Sequence, residues 1–389
     1  MKVAVTVLVF CVGALLALGL VMLYSSGMAL VGAHYLVTQS AWCVLGLLLC
    51  VVATLVDYAL LRKIAWPLLA VAVVLLVLVF VPHVGLRRNG ATRWLGHGRT
   101  SLFQPSEFAK LALLIALAWY GERYQRQMGT WKRGILIPGL FIALVLGLIF
   151  KEPDRGTTIL LAGTSGLTLL IAGVRWRHIL PIIAAGLGGL AVSLRHDPMR
   201  IKRILAWLHP EQSKSGVGYQ AYQAMLALGA GGWSGLGLGN GRQKLGFVPE
   251  NHTDFIFSII GEELGLVATL LVLVAFAAIV VCGLCIALNS RDNFGLFLGC
   301  GISCLIGLQA AINIGVVTSA LPNKGLPLPF ISYGGSNLLI MLTSVGILLS
   351  IARQAKAPDS ILCRSASDLA SGDNPFRKSR LKPARSQDT

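Results

Sequence analysis

The sequence predicts an all-α polytopic membrane protein of about ten transmembrane helices, with a large extracytoplasmic loop between spans 7 and 8. Three observations carry this. Of 389 residues, 55% are hydrophobic and 13% are charged, where soluble domains carry about 25% charged residues. The mean hydropathy is +0.74. Runs of about 20 apolar residues, the length that crosses a bilayer, recur over 3–24, 36–56, 64–82, 106–120, 134–150, 157–173, 179–194, 255–287, 294–319 and 337–353. Lipid offers no partner to backbone N–H and C=O groups, so such spans are helical.

The first span follows Lys2 and is longer than a signal-peptide core, with no A-x-A-like site after it, so it reads as a retained helix. Seven of the eight cysteines fall in spans and read as small apolar packing residues, Cys282 and Cys285 included. Residues 1–355 form one membrane domain, and 356–389 a basic tail expected to be disordered.

The net charge of +17 is informative through its placement. With the N-terminus in the cytoplasm, Arg62, Lys63, Arg123, Arg126, Lys132, Arg133, Arg175, Arg177 and Arg291 fall inside, as do Arg353, Lys356, Arg377, Lys378 and Arg380. That satisfies the positive-inside rule and places both termini in the cytoplasm. Nucleic acid is not an expected partner. The outer segment 83–105 breaks the pattern with Arg87, Arg88, Arg93 and Arg99, and the loop 195–254 adds Arg195, Arg200, Lys202, Arg203, Lys214, Arg242 and Lys244. An anionic ligand on the outer face accounts for this, since the planar arginine fork suits phosphate; a loop touching lipid headgroups is the alternative. Within the long loop, Ile201 to Leu208 and Tyr219 to Leu228 are amphipathic and predict short helices along the membrane surface.

Sixteen acids are few enough to sort singly. Glu107 and Lys110 share one helix face three residues apart and can neutralise each other. Glu262 and Glu263 lie inside a span, where ionisable groups are functional or paired. The run Pro249-Glu250-Asn251-His252-Thr253-Asp254-Phe255 brings titratable groups to the outer end of a helix. There Asp254 is either a helix cap or a reactive carboxylate whose pKa partial burial raises. The Gly-rich stretch Gly229 to Gly241 lacks G-K-[ST] and a preceding strand, so it reads as turn or close packing rather than a nucleotide loop. Leu326 to Ser336, with its prolines and paired glycines, is expected to line a cavity.

Four segments then fall into one pattern. They are Asn89-Gly90-Ala91-Thr92-Arg93-Trp94 with Gln104-Pro105-Ser106-Glu107-Phe108-Ala109-Lys110; Pro153-Asp154 with Gly156-Thr157; Tyr219-Gln220 through Gly231-Gly232 to His252-Thr253-Asp254-Phe255-Ile256-Phe257 and Gly261-Glu262-Glu263-Leu264-Gly265; and Lys324-Gly325 through Ser336. In this order and composition the chain resembles the SEDS family (shape, elongation, division and sporulation). Lys324 before Gly325 is more similar to the family's division branch than to its elongation branch. Departures are Asn251, Arg155, Asn323 and Asn337, none of which removes an expected functional group.

The resemblance implies a glycosyltransferase that polymerises peptidoglycan from lipid II at the outer face of the cytoplasmic membrane. It implies a class B penicillin-binding transpeptidase as partner, with other division or elongation proteins. Asp254 matches the family's essential aspartate and is the expected general base. The matching segments make Arg93, Trp94, Gln104, Ser106, Glu107, Lys110, Asp154, Lys244, His252, Thr253, Lys324, Ser332, Tyr333 and Ser336 candidate substrate-binding residues. Among them Arg93, Lys110, Lys244 and Lys324 are expected to face the departing pyrophosphate. A divalent cation (Mg2+ or Mn2+) is a possible aid, although no dedicated metal cage is visible in the sequence. A lipid II flippase and a non-catalytic division scaffold are the rival readings. The sparse polar residues on the cytoplasmic halves of the spans weigh against the first.

Overall fold

In the computed structural model, the described residues are 1–27, 32–88, 91–97, 100–181, 205–208, 216–249 and 252–355, with isolated positions between 184 and 201. Ten helices organise them: α1 (Lys2–Gly27), α2 (His34–Leu55), α3 (Ala59–Leu78), α4 (Pro105–Tyr124), α5 (Ile137–Lys151), α6 (Arg155–Ile171), α7 (Tyr219–Gly231), α8 (Ile256–Leu288), α9 (Asn293–Val317) and α10 (Gly335–Arg353). Nine of these match predicted spans, and seven of them, α5 counted with the helical turn Lys132–Leu136 before it, are long and apolar enough to cross a bilayer by length and composition. The match is close except at α3, which starts five residues before the predicted 64. The predicted span 179–194 lies mostly outside the described residues, as do most of Ile201 to Leu208 and the tail from 356. The second amphipathic stretch is α7, a helix as expected.

The helix starts follow local chemistry. Pro105 opens α4, where its missing N–H has no helical partner to lose. Asp154 caps α6 by accepting from the Thr157 N–H, and Asp292 caps α9 by accepting from the Gly295 N–H. A π-helical turn, Lys132–Leu136, leads into α5.

Burial sorts the helices. In α10 and α9, 78% and 67% of the most apolar window is buried, against 22% in α2 and α3. The centre is therefore α4, α9 and α10. The rim helices turn Val44, Leu48, Val51, Val74 and Leu140 outward, an apolar exterior that suits lipid. Small residues allow close crossing: α2 and α10 meet where a side chain on Gly346 would strike the Cys50 carbonyl.

The segment between α3 and α4 has structure the sequence does not announce. Residues 85–103 form an antiparallel sheet of β1 (Gly85–Arg88), β2 (Ala91–His97) and β3 (Thr100–Phe103), in the order β1-β2-β3. Each strand pair carries a register shift. Arg93 and Trp94 lie in the sheet's central strand, β2, and β3 leads into α4.

Helix α8 breaks at Gly265, whose φ of 76° is left-handed. The Gly-rich turn after α7 fills the break. Leu236 and Gly237 donate their N–H groups to the carbonyls of Glu262 and Glu263, and the Leu266 N–H donates to the Gly232 carbonyl. Groups that a continuous helix would satisfy internally are satisfied by this turn instead. The glycines of this stretch thus serve turn and packing, as their sequence suggests.

Candidate active site

Asp254 stands one residue before the cap of α8. The cap position is Phe255, whose own side chain makes no cap hydrogen bond.

The segment 252–254 is held by its backbone. The His252 carbonyl accepts from the Tyr333 N–H at 2.9 Å. The Thr253 carbonyl accepts from the Ser332 hydroxyl at 2.6 Å. The Asp254 carbonyl accepts from the Asn313 amide at 2.8 Å. Three successive carbonyls are thereby taken by α9 and by the stretch before α10. Ser332 is itself fixed, accepting from the Leu328 N–H at 2.8 Å. Gln39 of α2 donates to the Ser332 carbonyl and accepts from the Gly334 N–H, both at 3.2 Å. The carboxylate rests against Gly325, where an added Cβ would lie 2.7 Å from Asp254 Oδ2. Glycine is needed there for close approach, and half-buried Lys324 precedes it in the chain. Above the segment, the His252 ring stacks on Tyr35 at 4.4 Å, and Tyr333 lies 4.9 Å from Tyr35.

A second cluster joins this wall. Gln104 donates to Ser106 at 3.0 Å and to Asp154 at 3.4 Å, and its N–H donates to Ser336 at 3.1 Å. Gly156, in the first turn of α6, packs on Gly325 and Leu326. Arg93 donates from Nε to the Glu152 carbonyl at 3.1 Å and from a terminal nitrogen to the Pro153 carbonyl at 2.6 Å. It therefore locks the sheet to the start of α6. Trp94 is half-buried in β2 opposite Leu86.

Beneath both lies a buried polar core. Glu107 and Lys110 form the expected ion pair at 2.7 Å, and neither is more than 3% exposed. Lys110 also donates to Gln309 at 2.9 Å, and Gln309 donates to the Pro327 carbonyl and to Asn337. Lys110 thus supports the 327–337 wall from below.

Lys244 is placed elsewhere. Its ammonium donates to Glu263 at 2.7 Å, to the Gly239 carbonyl at 2.8 Å and to the Ser25 hydroxyl at 2.9 Å. A lysine has three N–H donors, and these partners account for three. It ties the 235–248 loop to α1 and α8, and this geometry does not support a role toward pyrophosphate.

Several residues at these clusters escaped sequence reasoning. Gln39, Gln309 and Asn313 are neutral amides within apolar spans, and a search sorted by charge passes over them. Polar groups at membrane depth are costly unless paired, and that was the available signal. Glu152 is fully buried, and neither carboxyl oxygen has a hydrogen-bond partner among the described residues. Burial pushes its pKa up to about 8; the Asp154 carboxylate adds to the rise and Arg93 opposes it. A folded-state pKa above the unfolded value favours folding at low pH. That contribution is lost as pH rises from about 4.5 through about 8. The thermal unfolding midpoint is expected to fall across that range. Glu152→Gln should remove this component and unfold later than wild type at about pH 9; identical profiles would refute the assignment.

Comparison with known proteins agrees with this architecture. The model of the FtsW/RodA/SpoVE family, described as cell cycle protein, matches residues 5–357. A probable peptidoglycan glycosyltransferase FtsW of Trichlorobacter lovleyi is 41% identical over 356 residues, covering 90% of this chain and 93% of that one. A solved structure described as "Structural coordination of polymerization and crosslinking by a peptidoglycan synthase complex" aligns with TM-score 0.76 and 31% identity over 89% of this chain and 96% of the other. The rod shape determining protein RodA of Thermus thermophilus aligns with TM-score 0.67 and 30% identity, over 90% and 97%. With its family model spanning nearly the whole membrane domain, the chain belongs to the FtsW/RodA/SpoVE family of cell cycle proteins.

Proposed function

We propose that this protein polymerises the glycan strands of peptidoglycan from lipid II in cell division or cell-shape maintenance. It would act at the outer face of the cytoplasmic membrane with both termini inside the cell. The observation that carries the reading is the backbone placement of Asp254, its segment held by three carbonyl anchors, in a chain 41% identical to a relative named as a probable peptidoglycan glycosyltransferase.

In this reading Asp254 is the general base. It takes the proton from the acceptor hydroxyl as that oxygen attacks the donor sugar, and it must come within about 2.6–3.2 Å of it or act through one water. The donor is α-linked to pyrophosphate and the product is β-linked, so one direct displacement with inversion suffices. No covalent enzyme intermediate is needed. Lys324, next to Gly325 in the chain, and Arg93, in the central strand of the sheet, are the cations assigned to the departing pyrophosphate. His252, Thr253, Tyr333, Trp94, Gln104, Ser106, Asp154, Ser332 and Ser336 shape the walls, and Glu107 with Lys110 supports them. No three His, Cys, Asp or Glu side chains among the described residues are grouped to hold a metal. A divalent cation such as Mg2+ or Mn2+ would therefore be held largely by the pyrophosphate itself and would offset its charge. The partner in this reading is a class B penicillin-binding transpeptidase within the division or elongation complex. The solved peptidoglycan synthase complex that this chain resembles supports it.

The test is polymerisation of purified lipid II by the chain copurified with its transpeptidase. Glycan strands are expected. Their absence from a folded, intact complex would shift the reading to a flippase or a scaffold. Arg93→Ala should weaken lipid II binding about tenfold, the scale of a lost hydrogen bond to a charged group, while Arg93→Lys recovers only part. Unchanged affinity in Arg93→Ala would remove it from the phosphate site.

A further inference from the structure

The geometry points to Asn313 as a positioning residue for Asp254. Asn313 sits in α9, one helical turn after Gln309, and is 1% exposed. Its side-chain nitrogen donates to two backbone carbonyls, Asp254 at 2.8 Å and Leu326 at 2.7 Å. An amide NH2 carries two protons on one planar atom, so a single group can serve both carbonyls at once. Aspartate and leucine offer no such donor, and serine offers one.

The two carbonyls belong to the two sides of the site. One is on the residue that carries the carboxylate. The other follows Gly325, the backbone on which Asp254 Oδ2 rests. Asn313 therefore sets the base and its wall in one register. Its Oδ1 is buried without a hydrogen-bond partner among the described residues, so the two donated bonds are the contacts that the amide makes there. The other ties between the same two segments, Ser332 to Thr253 and Tyr333 to His252, lie one and two residues upstream of the base. Asn313 is the tie at the base itself. A general base displaced by about 1 Å loses roughly 10²-fold in rate.

This inference rests on Asp254 being the base proposed above. The test uses the full chain with its transpeptidase partner and purified lipid II, with kcat and KM measured per folded molecule. Asn313→Ala should lower kcat by roughly 10²-fold and leave KM essentially unchanged. Asn313→Ser keeps one donor and should fall between the two; it carries the same test if the alanine variant does not fold. A lowered unfolding midpoint with unchanged kcat would make the residue merely structural and overturn the inference. A raised KM with unchanged kcat would place it in substrate binding and overturn it equally. Asp254→Asn in the same assay separates the two claims. An active Asp254→Asn removes the base and this inference with it. An inactive Asp254→Asn beside a fully active Asn313→Ala removes this inference alone.

Discussion

Asp254→Asn is expected to abolish glycan polymerisation while the protein still folds and keeps its partner. The amide is nearly the same size but cannot take a proton from the acceptor hydroxyl. A positioned general base contributes about 10²–10⁴-fold, enough to take strand synthesis below detection in a standard assay. Little loss of stability is expected, because the segment is anchored through the carbonyls of His252, Thr253 and Asp254. Strand length and yield from lipid II, set beside the unfolding midpoint, check both halves. Full activity would end the general-base assignment and leave the polymerase; lost activity with an unfolded protein would show that the side chain is needed for folding.

The helical part of the fold was legible because its signal is redundant. An apolar run of about twenty residues is hard to misread, and nine predicted spans coincide with helices. The ion pair of Glu107 and Lys110 was legible for a similar reason, since three-residue spacing on a helix fixes proximity. The sheet at 85–103 was not. Its outer strands are four residues long and its register is broken in both pairings, so the period-two alternation that reveals a strand never develops. Lys244 shows the other limit. Its outward, cationic character is a local property, but its partners Ser25 and Glu263 lie 219 and 19 residues away. Whether a lysine meets a ligand or a buried glutamate is decided by tertiary contacts. Asn313 is the same problem inverted: one neutral amide in an apolar helix, given meaning only by two carbonyls brought to it from separate segments.

The node at Lys244 and Glu263 should be the most sensitive stability site outside the reaction centre. Glu263 is fully buried and accepts from Lys244, from the Ser25 hydroxyl and from the Gly239 N–H. Glu263→Ala strips Lys244 of its counter-charge in a place water does not reach, and removing one member of a buried pair costs about 3–5 kcal/mol. The turn that fills the break at Gly265 loses its anchor with it, and that turn leads through residues 235–248 toward Asp254. Unfolding should therefore move to lower temperature, and polymerisation should fall even though Glu263 touches no substrate in this reading. Replacing both partners, as in Lys244→Met with Glu263→Leu, should recover much of the lost stability, because no uncompensated charge is then left buried. The unfolding midpoints of the two single variants and the double variant decide the matter. A double variant as unstable as the sum of the singles would mean that Ser25 and Gly239, rather than the ion pair, hold the loop to the bundle.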